Sequence, residues 1–303
     1  MTDEPAPLTL EIELADRADK AVAHHFPTAG RRQLSALFED GCVKLKGRVL
    51  RKGDRVVPGE VIELSRAPIS RDALRPAPDP DAAARIGVLL ERPDIIVLDK
   101  PAGMPSQPLR HGELGTAANA IAARWPECAA IGDDVRDGGL VHRLDIGTSG
   151  ILVAARTPEA YRALRDAFGA SLVAKTYLAI TDGTPVSREC DAPLLQRGKR
   201  VIVDHTDGLA AYTSFHVERA SATHALVRCT AQTGRMHQVR AHLAHVGSPI
   251  TGDTLYGGTG YGGIAGDTGF FLHAATITLP IDNLTIEAPL PDRFTAALAA
   301  NGL

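Results

Sequence analysis

Aromatic residues are scarce in this 303-residue sequence: one Trp, five Tyr and seven Phe make up 4% of it. Its core must therefore rest on aliphatic burial, and an aromatic inside a polar motif stands out. Cysteine is sparse too. Cys42, Cys128, Cys190 and Cys229 lie far apart, so neither a disulfide framework nor a cysteine zinc site is signalled. Four isolated thiols fit a reducing compartment, and the cytoplasm is the expected location. No run of about 18 apolar residues occurs, so no membrane association is expected. Met1–Leu14 is acidic and contains proline, without the basic and apolar sections of a secretory signal. The phosphate-cradling G-x-x-x-x-G-K-[ST], a G-x-G-x-x-G after a strand, the G-x-S-x-G nucleophile turn and H-E-x-x-H are all absent. Excess positive charge is lacking as well. Lys and Arg number 33 against 36 Asp and Glu, a net charge of -3, which argues mildly against a polyanionic partner.

What is present is 44% hydrophobic residues, enough for one large core or two smaller ones. A first segment spans about residues 8–66. Leu34, Leu37 and Phe38 share one face of a helix beginning near Arg31 and stopped by Gly41. Val43 and Leu45 alternate with Lys44 and Lys46 as a half-buried strand turned by Gly47, and Val61–Leu64 is another short strand. Charge is uneven here. Residues 31–55 hold eight bases, among them Arg31, Arg32, Lys44 and Lys46, against three acids. Residues 67–84 are crowded with prolines and read as an extended linker. A second domain would then occupy residues 85–303.

Within that domain, strands are expected at Ile95–Leu98, Leu140–His142, Ile151–Ala155, Leu172–Ile180 and Ala225–Thr230. Thr157 and Pro158 open a helix ending at Gly169, and a second helix spans Met236–Val246. The rhythm is not strictly βαβ. The expected class is α+β with a mixed, mainly antiparallel sheet, preceded by a small α+β module.

Three motifs carry chemistry. His142-Arg143-Leu144-Asp145 followed by Gly147-Thr148-Ser149-Gly150 places a carboxylate at a strand end in a polar turn. Such an acid also serves as a plain Asx turn. Lys175 and Tyr177 share one face of a strand. A tyrosine there stacks on a base or moves a proton, or simply fills a core. Thr233-Gly234-Arg235-Met236-His237-Gln238-Val239-Arg240 opens a helix. Arg235 at its start could serve a carboxylate as counter-charge or belong to a solvated basic face. His237, His242 and His245 invite a metal reading, but no acid lies within this helix and no metal is expected.

In this order the motifs resemble those of the RluA-type pseudouridine synthase family. Asp99-Lys100-Pro101-Ala102-Gly103 upstream, Gly247-Ser248-Pro249-Ile250, Gly252-Asp253, Leu255-Tyr256-Gly257 and Leu272-His273-Ala274 downstream extend the likeness over roughly residues 85–294. The first segment resembles an S-four-type RNA-binding module, whose basic side chains Arg31, Arg32, Lys44 and Lys46 would neutralise phosphates. Ile146-Gly147, Met236, Ser106-Gln107-Pro108 and a long glycine-rich loop at 258–269 depart from the family pattern. They bear on substrate choice rather than on the chemistry.

The resemblance implies a cofactor-free isomerisation of uridine to pseudouridine in structured RNA, either ribosomal RNA of the large subunit or transfer RNA. Asp145 would supply the carboxylate, whether by attack on the sugar, attack on the base or removal of a ribose proton. Arg235 would pair with Asp145, and Tyr177 would stack on the uracil and could accept the carbon 5 proton. Arg143 would occupy the space of the flipped nucleotide, with His142 and Thr148 also contacting substrate. A monomer is the default expectation. Two other classes stay open: a catalytically silent RNA-binding protein, and a metal-dependent hydrolase built on the histidine helix.

Overall fold

The computed structural model describes residues 7–68, 71–260 and 269–303; the side chain of Arg32 and most of the glycine-rich loop, residues 261–268, lie outside the described residues. The chain divides into two compact units. The first comprises residues up to Arg75 with Leu109–Gly112, and the second comprises Pro76–Pro108 with Glu113–Leu303.

The first unit holds β1 (Leu8–Glu11), β2 (Asp16–Arg17), α1 (Ala18–His25), α2 (Arg31–Glu39), β3 (Val43–Leu45), β4 (Arg48–Val49), β5 (Arg55–Val56) and β6 (Val61–Leu64). Its sheet runs β1-β6-β3-β4, with β2 and β5 as a separate ribbon. Gln33 reaches back to accept the Gly30 N–H at 2.8 Å, securing the start of α2. Leu34, Leu37 and Phe38 are buried as the periodicity requires. Lys46 (φ 50°) and Gly47 (φ 78°) form the two-residue turn from β3 to β4, in which both central residues need positive φ.

The second unit contains α3 (Pro80–Arg85), β7 (Gly87–Glu91), β8 (Ile95–Lys100), α4 (Ala117–Arg124), β9 (Ser149–Ala155), α5 (Pro158–Gly169), β10 (Ala174–Asp182) and β11 (Glu189–Cys190). The hairpin β12 (Leu194–Arg197) and β13 (Arg200–Val203), then β14 (Thr213–Ala220), β15 (His224–Ala231), α6 (Gln238–His245), β16 (Leu272–Leu279), β17 (Leu284–Glu287) and α7 (Asp292–Ala300) complete it. The main sheet runs β11-β14-β15-β10-β16-β9-β8-β7, with β17 beside β16. All its pairings are antiparallel except β16 with β9, which are parallel and paired only at His273–Ser149 and Ala274–Gly150. This is the expected α+β class with a mixed, mainly antiparallel sheet.

Two expectations fail. The stretch 67–84 is not an extended linker throughout, because Pro80–Arg85 is a helix of the second unit. Pro80 occupies the first helical turn, where its missing N–H costs nothing. The Asp79 carboxylate caps the helix, accepting from Asp81 N at 3.0 Å, Ala82 N at 3.1 Å and, across the fold, Gly115 N at 2.8 Å. Leu140–His142 is likewise not a strand and keeps only an isolated bridge from Leu140 to Ala154.

The site rests on the central strands. Every residue of β9 is buried, and Ile95–Leu98 of β8 are fully buried beside it. These strands, α3, α4 and α5 share one core, while Phe215, Val227, Val239, Leu243 and Phe270 belong to another. α5 starts where the sequence places it, with Thr157 Oγ1 accepting the Ala160 N–H at 3.1 Å. Gly150 permits the parallel contact: its φ is 102°, and a Cβ there would lie 2.3 Å from Ala274 O.

Candidate active site

Asp145 sits in the turn that feeds β9, where the Thr148 N–H donates to the Asp145 carbonyl at 3.0 Å. This turn is pinned from behind. Lys100, at the end of β8, is fully buried and its Nζ donates to Met104 O at 2.7 Å, Pro101 O at 3.1 Å and Ile146 O at 3.3 Å. Burial lowers Lys100 to about 7, opposed by the negative charges of Asp145 and Asp99. Ser106 adds a second tie, its Oγ donating to Leu144 O at 2.8 Å and accepting the Leu144 N–H at 3.0 Å. Ser106 belongs to the segment that departs from the family pattern, and here it fixes the residue before Asp145.

The counter-charge of Asp145 is Arg240, not Arg235. Arg240 Nη1 donates to Asp145 Oδ2 at 2.8 Å, while its Nε and Nη2 grip Asp253 at 2.7 and 2.9 Å. The Asp253 side chain is 1% exposed and that of Arg240 7%. Burial opposes the charge of Arg240, but its hydrogen bonds to Asp253 and the field of Asp145 raise its pKa. The guanidinium also lies over two rings, 4.3 Å from the Phe270 centroid and 5.0 Å from that of Tyr256. Gly147 makes room for Phe270, since a Cβ there would stand 2.6 Å from the ring.

Arg235 misses Asp145 for a local reason. The helix begins at Gln238, not Met236, and Arg235 belongs to a preceding turn anchored by Gln238. Gln238 Oε1 accepts from Thr233 Oγ1 at 2.7 Å and from Arg235 N at 3.0 Å. The exposed Arg235 side chain instead donates its Nε to Ala210 O at 3.0 Å. Arg240, three residues inside helical spacing from His237, faces the carboxylates. The spacing of Arg240 from Gly252-Asp253 carried no signal of a pair. The only clue was a basic residue on an otherwise buried helix face.

Tyr177 lies at a register shift between β10 and β16, the kind of irregularity that re-aims a side chain. It lines a small pocket with Asp145, Thr148, Arg143, Arg235, His237 and Arg240. Burial and the negative charge of Asp145 push its phenol up to about 12. The group stays protonated at neutral pH, which suits stacking and hydrogen-bond donation better than proton acceptance. Thr148 is nearly fully buried, whereas Arg143 is exposed at the pocket rim. His142 is only partly exposed. Its Nε2 accepts the Val153 N–H at 3.0 Å and its ring stacks on Phe168 at 4.8 Å.

The helix histidines have other partners. His237, in a left-handed conformation (φ 52°), hydrogen-bonds Tyr256 Oη through Nδ1 at 2.9 Å and places Nε2 3.7 Å from Asp145 Oδ1. His242 is buried, with Thr213 Oγ1 and Ala192 O each 2.9 Å from its two ring nitrogens. Among the described residues no group of three His, Cys, Asp or Glu side chains could hold a metal ion.

The family model described as RNA pseudouridylate synthase matches residues 94–245, a span that carries Lys100, Asp145, Tyr177 and Arg240. The chain belongs to the RNA pseudouridylate synthase family. It is 36% identical over 245 residues to a ribosomal large subunit pseudouridine synthase D of Xanthomonas campestris, covering 80% of this chain and 71% of that protein. It is 33% identical to the protein of the same name from Xylella fastidiosa, over 99% of this chain and 95% of the other. The fold is similar to that of human RNA pseudouridylate synthase domain containing 4, with a TM-score of 0.59 at 24% identity over 72% of this chain and 94% of that one. The protein is thus an RNA pseudouridine synthase, and no helix among the described residues is long and apolar enough to cross a membrane.

Proposed function

We propose that this pseudouridine synthase isomerises uridine in ribosomal RNA of the large subunit, with Asp145 as its essential carboxylate. The observation that carries the reading is the buried Asp253–Arg240–Asp145 chain, which presents one oriented carboxylate to a pocket shared with Tyr177. In the reaction the bond from ribose carbon 1′ to uracil nitrogen 1 breaks, the base turns, and carbon 1′ bonds carbon 5. The proton of carbon 5 is lost and nitrogen 1 gains one, so atoms balance without redox or cofactor chemistry. Arg240 orients Asp145 for this step, Tyr177 stacks on the base, and Arg143 at the rim holds the everted nucleotide. The choice of RNA follows the two relatives named for the large ribosomal subunit; neither is named for transfer RNA.

The first unit serves as an RNA-binding module in this reading. Arg31, Lys44 and Lys46 are exposed, and among the described residues none has an ion-pair partner within 4.0 Å. Such cations are available to phosphates. The test is tritium release from large-subunit ribosomal RNA labelled at uridine carbon 5. Wild type is expected to release tritium and Asp145→Asn to release none. Equal release by the variant would remove Asp145 from the mechanism.

A further inference from the structure

Beside the small pocket over Asp145 lies a cavity of about 470 Å³, and the two share Arg143, Tyr177 and Arg235 at their border. Its lining contains a buried cation that no acid among the described residues answers. Lys175 is 7% exposed, yet among the described residues it has no carboxylate within ion-pair distance. Its Nζ makes one long hydrogen bond, to Thr233 O at 3.4 Å, and lies 5.8 Å from the Phe168 ring centroid. An ammonium has three donors, so two remain free in the cavity it lines. A buried structural lysine is ordinarily balanced by an acid, because an unpaired buried charge destabilises the fold.

The neighbours add a neutral donor and a second cation. His142 is driven down to about 3 by burial and then by the charges of Lys175 and Arg165, so its ring is neutral. Because Nε2 accepts the Val153 N–H, the ring proton must sit on Nδ1. That leaves one N–H donor on a side chain lining the same cavity. Phe168, stacked under His142, is the platform that fixes the ring. Arg165, half-exposed, donates one nitrogen to Val141 O at 3.1 Å and places its Nε 3.8 Å from Oδ2 of the exposed Asp133. The one carboxylate in the lining, Asp137, is already committed to Gln107 Nε2 at 2.6 Å and Tyr161 Oη at 2.8 Å.

We propose that this cavity is an anion subsite in which Lys175, His142 and Arg165 take a phosphodiester of the RNA chain adjoining the uridine held over Asp145. The assignment rests on the function proposed above. It explains why a cation is kept buried without a partner: the partner arrives with the substrate. It also gives the enzyme a grip on backbone rather than base, which positions the strand without reading its sequence.

The test compares wild type, Lys175→Met and Lys175→Arg. Binding of a large-subunit ribosomal RNA transcript is measured over a salt series, alongside tritium release and thermal unfolding. Lys175→Met is expected to unfold no lower than wild type, because it removes an unanswered buried charge. Its slope of log affinity against log salt should be shallower by about 0.7 to 0.9, one phosphate contact. KM should rise more than kcat falls, and Lys175→Arg should restore the slope. An unchanged slope and KM in Lys175→Met overturns the subsite even where wild type is fully active. A fall in kcat alone would mean that Lys175 acts only through Tyr177, and also overturns it. Competition by millimolar inorganic phosphate with no change in slope would assign the site to a free anion instead. Absence of tritium release from wild type overturns the proposed function, while the binding slope still decides the subsite.

Discussion

Replacing Arg240 by Met separates the observed ion pair from the one the motif suggested. The substitution removes three charged hydrogen bonds at once, two to Asp253 and one to Asp145. Asp253 is then a carboxylate at 1% exposure without a counter-charge, which costs about 3–5 kcal/mol of stability. Activity is expected to fall roughly ten- to hundredfold from loss of the one bond to Asp145, on the scale of about 1.5–3 kcal/mol for a charged hydrogen bond. Arg235→Met touches none of these contacts and should unfold like wild type. A second change distinguishes the two effects. In Arg240→Met/Asp253→Leu both buried charges are gone, so stability should recover while activity stays low. Urea unfolding and tritium release from carbon 5-labelled ribosomal RNA read the two quantities independently. Activity of Arg240→Met within threefold of wild type, or a greater loss of kcat in Arg235→Met, would refute the assignment of Arg240 as the partner of Asp145.

Two further outcomes concern stability. Lys100 carries a pKa of about 7 in the folded protein against 10.5 when unperturbed, so between these values the unfolded chain binds a proton that the folded one does not. Its contribution therefore makes stability rise with pH from about 7 to about 10.5. The urea midpoint of wild type should climb relative to Lys100→Met over that window, and parallel pH curves would contradict the buried lysine. Asp79→Ala strips three backbone N–H groups of their acceptor and should cost about 2 kcal/mol. Thermal unfolding indistinguishable from wild type would show that α3 does not depend on its cap.

Much of this architecture is written locally. The Thr157-Pro158 start of α5 and the buried face of α2 follow from capping and periodicity, which act within a few residues. Asp145 could be singled out because a carboxylate among Gly, Thr and Ser residues has a short-range signature, and Tyr177 because period 2 sets it beside Lys175. The failures are of two kinds. Prolines at 76–80 suggested an extended linker because composition alone does not distinguish a proline that ends a helix from one that begins it. Arg235 was given the role of Arg240 because the helix start was placed two residues early, and on a helix two residues turn a side chain by about 200°. Asp253 and Ser106 were seen only as part of the family likeness and of its departures, and were given no role. Their work is to meet residues 13 and 38 positions away, and no spacing rule reaches that far. The strands β14 and β16 were also passed over, since their pairing with β10 and β15 is a property of the assembled sheet.

The brief parallel contact of β9 with β16 has a consequence for how damage to this enzyme would show itself. Two antiparallel halves meet there through only two residue pairs. Asp145 and Lys100 come from one half, whereas Tyr177, Arg240 and Asp253 come from the other. The 2.8 Å bond between Asp145 and Arg240 is therefore a gauge of alignment between the halves. A slip of about 1 Å at the seam would disturb the core that β9 and β16 share and cost on the order of a hundredfold in rate. Substitutions near Gly150 and Ala274 would then show in turnover as well as in unfolding, because a Cβ at Gly150 would stand 2.3 Å from Ala274 O.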